Sequence, residues 1–165
     1  MDDYDAMAFP EPGHDHQRCK DAALAQAERL CAQREQRLTP IRRRVLELIW
    51  SNHAPVGAYL LLQQLSEEGH KAAPPTVYRA LDFLLELGLV HRIASLNAFI
   101  GCRHPAVHHT PRFFLCEQCG MAAELEDPAI NCAIAGDADR LGFQVTRQTV
   151  EVSGACAHCR QRSAQ

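Results

Sequence analysis

The sequence contains no long apolar run. No stretch reaches the ~18 consecutive apolar residues that a transmembrane helix needs, so the sequence predicts no membrane span. Residues 1–5 (MDDYD) are acidic and no apolar segment follows them, which argues against a secretory signal. We therefore expect a cytoplasmic protein.

The sequence also lacks the usual signatures of an enzyme. It shows neither a nucleophile with a companion base nor a glycine-rich phosphate loop, so hydrolase and kinase activities have no support. We expect no catalysis and no small-molecule substrate. A chain of 165 residues with 47% hydrophobic content suffices for one large domain or two small ones.

Positive charge is scarce in the second half. From Phe113 to Asp139 there is no Lys or Arg but there are six acidic residues, whereas Arg37, Arg42, Arg43 and Arg44 cluster in the first half. The net charge of −3 alone argues mildly against nucleic acid binding. A basic patch on one domain can nevertheless hold DNA while the other domain repels it.

The first hundred residues show the pattern of a winged helix. Apolar spacing, Pro at helix starts and Gly at helix ends predict three helices after a first one, then a β-hairpin that would end near Gly101. The predicted elements are helices over 17–36, from Pro40, over 58–68 and over 74–87, and β runs over 89–93 and 98–100.

The helix over 74–87 has the features of a recognition helix. Tyr78 and Arg79 come early in it and point away from its apolar stripe, and the first turns of such a helix enter the major groove. Arg can bind guanine with two hydrogen bonds, and a Tyr ring can pack on a thymine methyl. Taken alone, an exposed Tyr-Arg pair is more often ordinary surface. The cluster over 42–44 fits a solvated face and a phosphate contact equally well.

The second half is predicted to form a small α/β unit. Residues 102–111 have no periodicity and contain two prolines, so they are the candidate hinge. Strands over 112–115 and 121–125, a helix over 128–141 and a strand over 143–153 follow it. The apolar side of that helix consists of Ile130, Ala133, Ile134 and Leu141.

Two CxxC pairs are the strongest chemical signal. Eight cysteines are many for a reducing compartment, where this spacing favours metal or redox chemistry over disulfides. Each CxxC turn lets two thiolates point at one tetrahedral Zn²⁺, and the long gap between the pairs indicates that zinc joins two ends of a domain. Dithiol redox chemistry is the alternative, but a redox CxxC normally opens a helix beside a βαβ core. The pairs are Cys116 with Cys119 and Cys156 with Cys159.

A second set of metal-binding side chains surrounds the hinge. It offers one thiolate, two imidazoles and one carboxylate, which suits tetrahedral Zn²⁺ better than a hard metal. His104 and His108 are rival ligands that spacing does not exclude. The set consists of His91, Cys102, His109 and Glu124.

These motifs resemble the Fur family of metalloregulators, most of all its zinc-uptake-regulator branch, Zur. The resemblance rests on the run 75–81 (PTVYRAL), the run 88–91 (GLVH) and the two CxxC pairs, and it covers roughly residues 25–160. It implies an α+β fold, with an N-terminal winged-helix DNA-binding domain followed by a small α/β dimerisation domain. We accordingly expect a flexible tail over 1–16, a DNA-binding domain over 17–101, a hinge over 102–111 and a zinc-stabilised dimerisation domain over 112–165.

The resemblance also implies roles for individual residues. The four CxxC cysteines match the family's structural zinc site. The set around the hinge matches the regulatory zinc site of the Zur branch, which gives two Zn²⁺ per protomer. The predicted DNA-binding residues are Tyr59, Thr76, Tyr78, Arg79 and Arg43.

The implied function is that of a zinc-responsive transcriptional repressor. It would bind an AT-rich inverted repeat in double-stranded DNA as a zinc-loaded homodimer and shut off zinc-uptake genes. The alternative is a sensor of iron, manganese or peroxide from the same family. The iron-sensing branch usually carries a His-His-Asp-His run before the first CxxC, whereas residues 108–111 here read His-His-Thr-Pro. The missing aspartate and the thiol of Cys102 favour zinc.

Overall fold

The computed structural model describes residues 9, 15–71, 73–105 and 109–163. The chain forms two compact units: one is Pro10–Val107, and the other combines Met1–Phe9 with His108–Gln165. Within the described ranges, no helix is both long enough and apolar enough to cross a membrane. The predicted α+β class is confirmed.

The first unit contains four helices and a three-stranded sheet. The sheet is antiparallel with the order β1-β3-β2. The predicted helices and hairpin are confirmed, but β1 was missed because two residues carry no periodicity. The elements are α1 (His16–Gln33), α2 (Pro40–Ile49), β1 (Val56–Gly57), α3 (Ala58–Glu67), α4 (Pro74–Glu86), β2 (Val90–Ile93) and β3 (Ala98–Gly101).

Local sequence signals explain where these helices begin and end. The carboxylate of Asp15 accepts hydrogen bonds from the amides of Gln17 and Arg18 at 2.9 and 3.4 Å, so it caps α1. The predicted tail over 1–16 lies mostly outside the described residues, and its last two residues form this helix start. Gly69 and Gly88 follow α3 and α4 with φ of +82° and +69°, a left-handed conformation that favours glycine.

The core of the first unit is a single apolar cluster. Apolar side chains from all four helices and the sheet form one cluster around α2 and α4. Complete burial of this kind stabilises the fold by about 1.5–3 kcal/mol per large side chain. The most completely buried members include Val45, Leu46, Ile49, Leu61, Leu65, Leu81, Leu84 and Val90.

The second unit is smaller and has its own three-stranded sheet. The central strand β4 pairs antiparallel with β5 and parallel with β6. The buried guanidinium of Arg112, at the start of β4, donates to the carbonyl of Asp127 and to Oδ1 of Asn131, which ties the sheet to α5. The elements are β4 (Arg112–Cys116), β5 (Ala122–Leu125), α5 (Pro128–Leu141), β6 (Val150–Gly154) and α6 (Ala157–Ser163).

Two sequence predictions for this unit need correction. The strand predicted over 143–153 is wrong in its first half, because β6 covers only Val150–Gly154 and its partner β4 is itself five residues long. The helix α6 was missed because its seven residues carry no apolar stripe.

The apolar side of α5 is not buried within its own unit. Ile130 is 39% exposed and Leu141 is 81% exposed, whereas the buried residue of this helix is Ala138. Phe143 and Val152, on the following segments, are also exposed, at 65% and 40%. The unit therefore leaves several large apolar side chains exposed.

A close contact in the first unit provides a test of the packing. A Cβ added at Gly101 would lie 2.2 Å from Cε2 of Trp50, whose side chain is buried. We predict that Gly101→Ala lowers the free energy of unfolding by about 1–3 kcal/mol, the usual cost of overpacking, as measured by urea unfolding. Gly57→Ala is the control, because nothing lies within 4 Å of its added Cβ. Equal stability of Gly101→Ala and wild type would contradict the contact.

Candidate metal centres and recognition surface

The two CxxC pairs meet at one end of the second sheet. Cys116 ends β4 and lies opposite Gly154 of the parallel strand β6, which brings the segment after β6 beside the segment after β4. The ligand atoms of Cys116, Cys119, Cys156 and Cys159 all lie within 4.8 Å of one another. Tetrahedral Zn²⁺ with Zn–S bonds of about 2.3 Å requires sulfurs about 3.8 Å apart, and Sγ of Cys119 and Cys156 are 3.9 Å apart. The four side chains therefore fit zinc.

Backbone amides support the sulfurs. The amides of Cys156 and Cys159 donate to Sγ of Cys116 and Cys156 at 3.3 and 3.5 Å. Gly120 closes the first turn with φ of +73°, and its amide donates to the carbonyl of Cys116 at 2.9 Å. Hydrogen bonds of this kind orient ligands and stabilise thiolates. Gly120 was not among the predicted site residues, although a glycine directly after the second cysteine is a usable signal for this turn.

The thiols of this cluster do not ionise alike. Hydrogen bonds from the amides of Cys156 and then Cys119 lower the pKa of Cys116 to about 6. Burial, followed by hydrogen bonds with the neighbouring thiols, raises the pKa of Cys159 to about 12. At pH 7 the metal-free cluster therefore still holds protons that zinc must displace, and its zinc affinity rises with pH.

Two of the residues predicted around the hinge form a buried pair in the second unit. Nε2 of His109 lies 2.8 Å from Oε1 of Glu124, and the two side chains are 6% and 7% exposed. Glu124 is held on β5 opposite Phe113 of β4. A buried carboxylate next to an imidazole costs desolvation energy that a bound cation would offset.

The other two predicted ligands belong to the hairpin of the first unit. His91 is half-buried on β2, opposite Ile100 of β3. Cys102 follows β3, is 2% exposed, and donates its amide to the carbonyl of Leu89 at 2.9 Å. Of the rival ligands, His104 is exposed, and His108 lies outside the described residues.

The predicted DNA-contacting side chains are accessible. Tyr59, in the first turn of α3, is 79% exposed, and Tyr78 of α4 is 53% exposed. Arg79 is exposed beside Tyr78, and Thr76 is half-buried in the first turn of α4. Arg43 instead pairs with Glu28 of α1, so a contact with DNA would compete with that carboxylate.

Residues 33–153 match the sequence model of the Ferric uptake regulator (Fur) family. The chain belongs to this family. It is 42% identical over 137 residues to the zinc uptake regulation protein of Escherichia coli (strain K12), a match that covers 82% of this chain and 80% of that one. The predicted family membership is confirmed.

Solved structures of Fur-family proteins share the fold. A zinc uptake regulator complexed with zinc and DNA has a TM-score of 0.84 and 40% identity, covering 88% of this chain and 98% of that one. Holo XcZur has a TM-score of 0.77 and 46% identity, covering 85% of this chain and 98% of its own.

The four-cysteine cluster predicts a specific loss on mutation. We expect Cys156→Ser to abolish zinc binding at the cluster and to lower the thermal midpoint of the second unit by about 10 °C or more, because a structural zinc contributes directly to folding. Elemental analysis and circular dichroism measure the two effects. Cys132→Ser is the matched control, since Cys132 is exposed and outside the cluster. An unchanged zinc content in Cys156→Ser would refute the assignment.

Proposed function

We propose that the chain is a zinc-responsive transcriptional repressor that binds operator DNA as a zinc-loaded homodimer and shuts off zinc-uptake genes. The observation that carries this proposal is the likeness, across both units, to a zinc uptake regulator complexed with zinc and DNA. The chemistry of the chain agrees with it, because the four cysteines would fill a tetrahedral zinc site and would leave no open position for catalysis. We propose no enzymatic activity.

Each protomer would hold two Zn²⁺. The cluster of Cys116, Cys119, Cys156 and Cys159 would hold the structural ion and keep the second unit folded. The regulatory ion would be held by His91, Cys102, His109 and Glu124. The thiol of Cys102 supports zinc over iron or manganese. The contact between His109 and Glu124 supports the site as well, because two of its four proposed ligands already lie together.

The division of the regulatory ligands suggests how zinc controls DNA binding. His91 and Cys102 belong to the DNA-binding domain proposed over 17–101 and the hinge over 102–111, whereas Glu124 belongs to the dimerisation domain proposed over 112–165. When these side chains close around one ion they select one arrangement of the domains. In that arrangement the recognition helices of the dimer would fit major grooves about 34–36 Å apart, or a multiple of it. A coupling of ~1–3 kcal/mol would change DNA affinity about 5–150-fold.

Exposed apolar side chains in the second unit support a homodimer. Ile130, Leu141, Phe143 and Val152 are exposed, and a subunit interface would remove such side chains from water. A two-fold dimer would bring two recognition helices to an inverted repeat, which we propose is AT-rich. Tyr59, Thr76, Tyr78 and Arg79 would contact this DNA, and Arg43 would contact a phosphate.

Substitution of the regulatory thiol tests the sensing site. We expect Cys102→Ser to lose zinc-dependent DNA binding and to remain a folded dimer, because the structural cluster is untouched. Fluorescence anisotropy with labelled operator at buffered zinc concentrations, together with sedimentation, would measure both properties. Cys132→Ser should respond to zinc as wild type does. An unchanged zinc response in Cys102→Ser would exclude Cys102 as a regulatory ligand.

The recognition helix gives a second test. Arg79→Ala should weaken operator binding by ~1–3 kcal/mol and relax sequence preference, because a base contact is lost. Arg43→Ala should instead lower the affinity for all DNA sequences alike. It should also reduce the slope of log K against log salt concentration by about one. Competition binding with operator and random duplexes distinguishes the two. Equal losses on both duplexes for Arg79→Ala would show that Arg79 does not read bases.

A further inference from the structure

Three consecutive arginines of α2 contact α4, α1 and the C-cap residue of α3. Successive residues of a helix point about 100° apart, so a run of three can reach neighbours on several sides. Sequence patterning predicts only that such a run is basic. Arg42 lies over the ring of Phe83 in α4 at 3.5 Å from its centroid, Arg43 pairs with Glu28 of α1, and Arg44 pairs with Glu68 after α3.

The ion pair of Arg44 and Glu68 is the best defined of these contacts. Nε and Nη2 of Arg44 donate to Oε2 and Oε1 of Glu68 at 2.8 and 2.5 Å, and Nη1 donates to Oε2 of Glu47 at 2.6 Å. A fork of two parallel hydrogen bonds fixes direction as well as distance. Hydrogen bonding to Glu68 raises the pKa of Arg44, and the same bond lowers the pKa of Glu68.

Glu68 lies where α3 gives way to the turn that leads to α4. It is the C-cap of α3, and Gly69 follows it with φ of +82°. The amide of His70 returns to the carbonyl of Leu65 at 2.9 Å. A carboxylate at the negative end of a helix is unfavourable by itself, and Arg44 compensates for it. The pair therefore joins α2 to the C-terminal end of α3, where the turn toward α4 begins.

We propose that Arg44 is a positioning residue for DNA recognition: through Glu68 it fixes the α3–α4 turn and thereby the orientation of the recognition helix α4, and it does not contact phosphate. This inference rests on the proposed DNA-binding function. A phosphate near Arg44 would also approach the carboxylates of Glu47 and Glu68, which already neutralise the guanidinium.

The two roles predict opposite effects of removing the charge of Glu68. If Arg44 contacted phosphate, Glu68→Gln would release the guanidinium and remove a repulsive charge, so DNA would bind more tightly. If Arg44 positions the turn, the same substitution loosens α4, and operator binding weakens. Glu67→Gln is the matched control: it removes the same charge one residue earlier, and the carboxylate of Glu67 accepts from Gln63 whereas Arg44 donates to Glu68.

The experiment compares Arg44→Met, Glu68→Gln, their double variant, Glu67→Gln and Arg43→Met in the zinc-loaded full chain. The probes are the duplex that wild type selects from a random pool and a scrambled duplex of equal length, each at several salt concentrations. We expect Arg44→Met and Glu68→Gln each to weaken the selected duplex about two- to fivefold more than the scrambled one, the size that partly exposed ion pairs support. The affinity of the double variant for the selected duplex should be no lower than that of whichever single variant binds less tightly, because both substitutions remove the same ion pair. The salt slope should fall for Arg43→Met alone.

Tighter binding by Glu68→Gln, or a reduced salt slope in Arg44→Met, would overturn the proposal. Failure of wild type to select any duplex would instead contradict the proposed function. Amide hydrogen exchange would then still test the positioning role. Faster exchange at His70 and Thr76 in Glu68→Gln, but not in Glu67→Gln, would support it, and unchanged exchange would refute it.

Discussion

We propose that the second unit depends on four cysteine sulfurs, which lie together at one end of its sheet. Cys116, Cys156 and Cys159 form a buried cluster of their own, and the sulfurs of all four cysteines lie within 4.8 Å. Such a group of thiols can all ionise only if a cation neutralises them, and zinc does so with four bonds. A unit of this size buries few large side chains, so bonds to a zinc ion would take the place of a larger hydrophobic core.

The first unit is built on a different principle. Its helices and sheet surround a continuous apolar core, so we expect this unit to fold without a metal. In this account zinc therefore controls DNA binding through the ligands near the hinge rather than by folding the DNA-binding domain. Within the first unit, contacts such as the ion pair of Arg44 with Glu68 would fix the orientation of α4 toward DNA.

The sequence predicts most of this fold because local sequence signals identify most of its helices and strands. Pro40 and Pro74 start helices, and Gly69 and Gly88 follow their ends. The spacing of the two CxxC pairs predicted that the four cysteines lie together, and their sulfurs do. What could not be predicted depends on distant partners. Helical periodicity found the apolar side of α5 but could not show that it stays exposed. The run over 42–44 was recognisably basic, but its carboxylate and aromatic partners lie far along the chain. The composition of the regulatory site remains a prediction.

The most direct test of the account is the zinc content of the protein before and after mild chelation, with operator binding followed in the same samples. We predict two zinc ions per chain, of which one is removed readily, and an operator affinity that falls and recovers with that ion. A single, tightly held zinc, with DNA binding that does not respond to chelation, would contradict it.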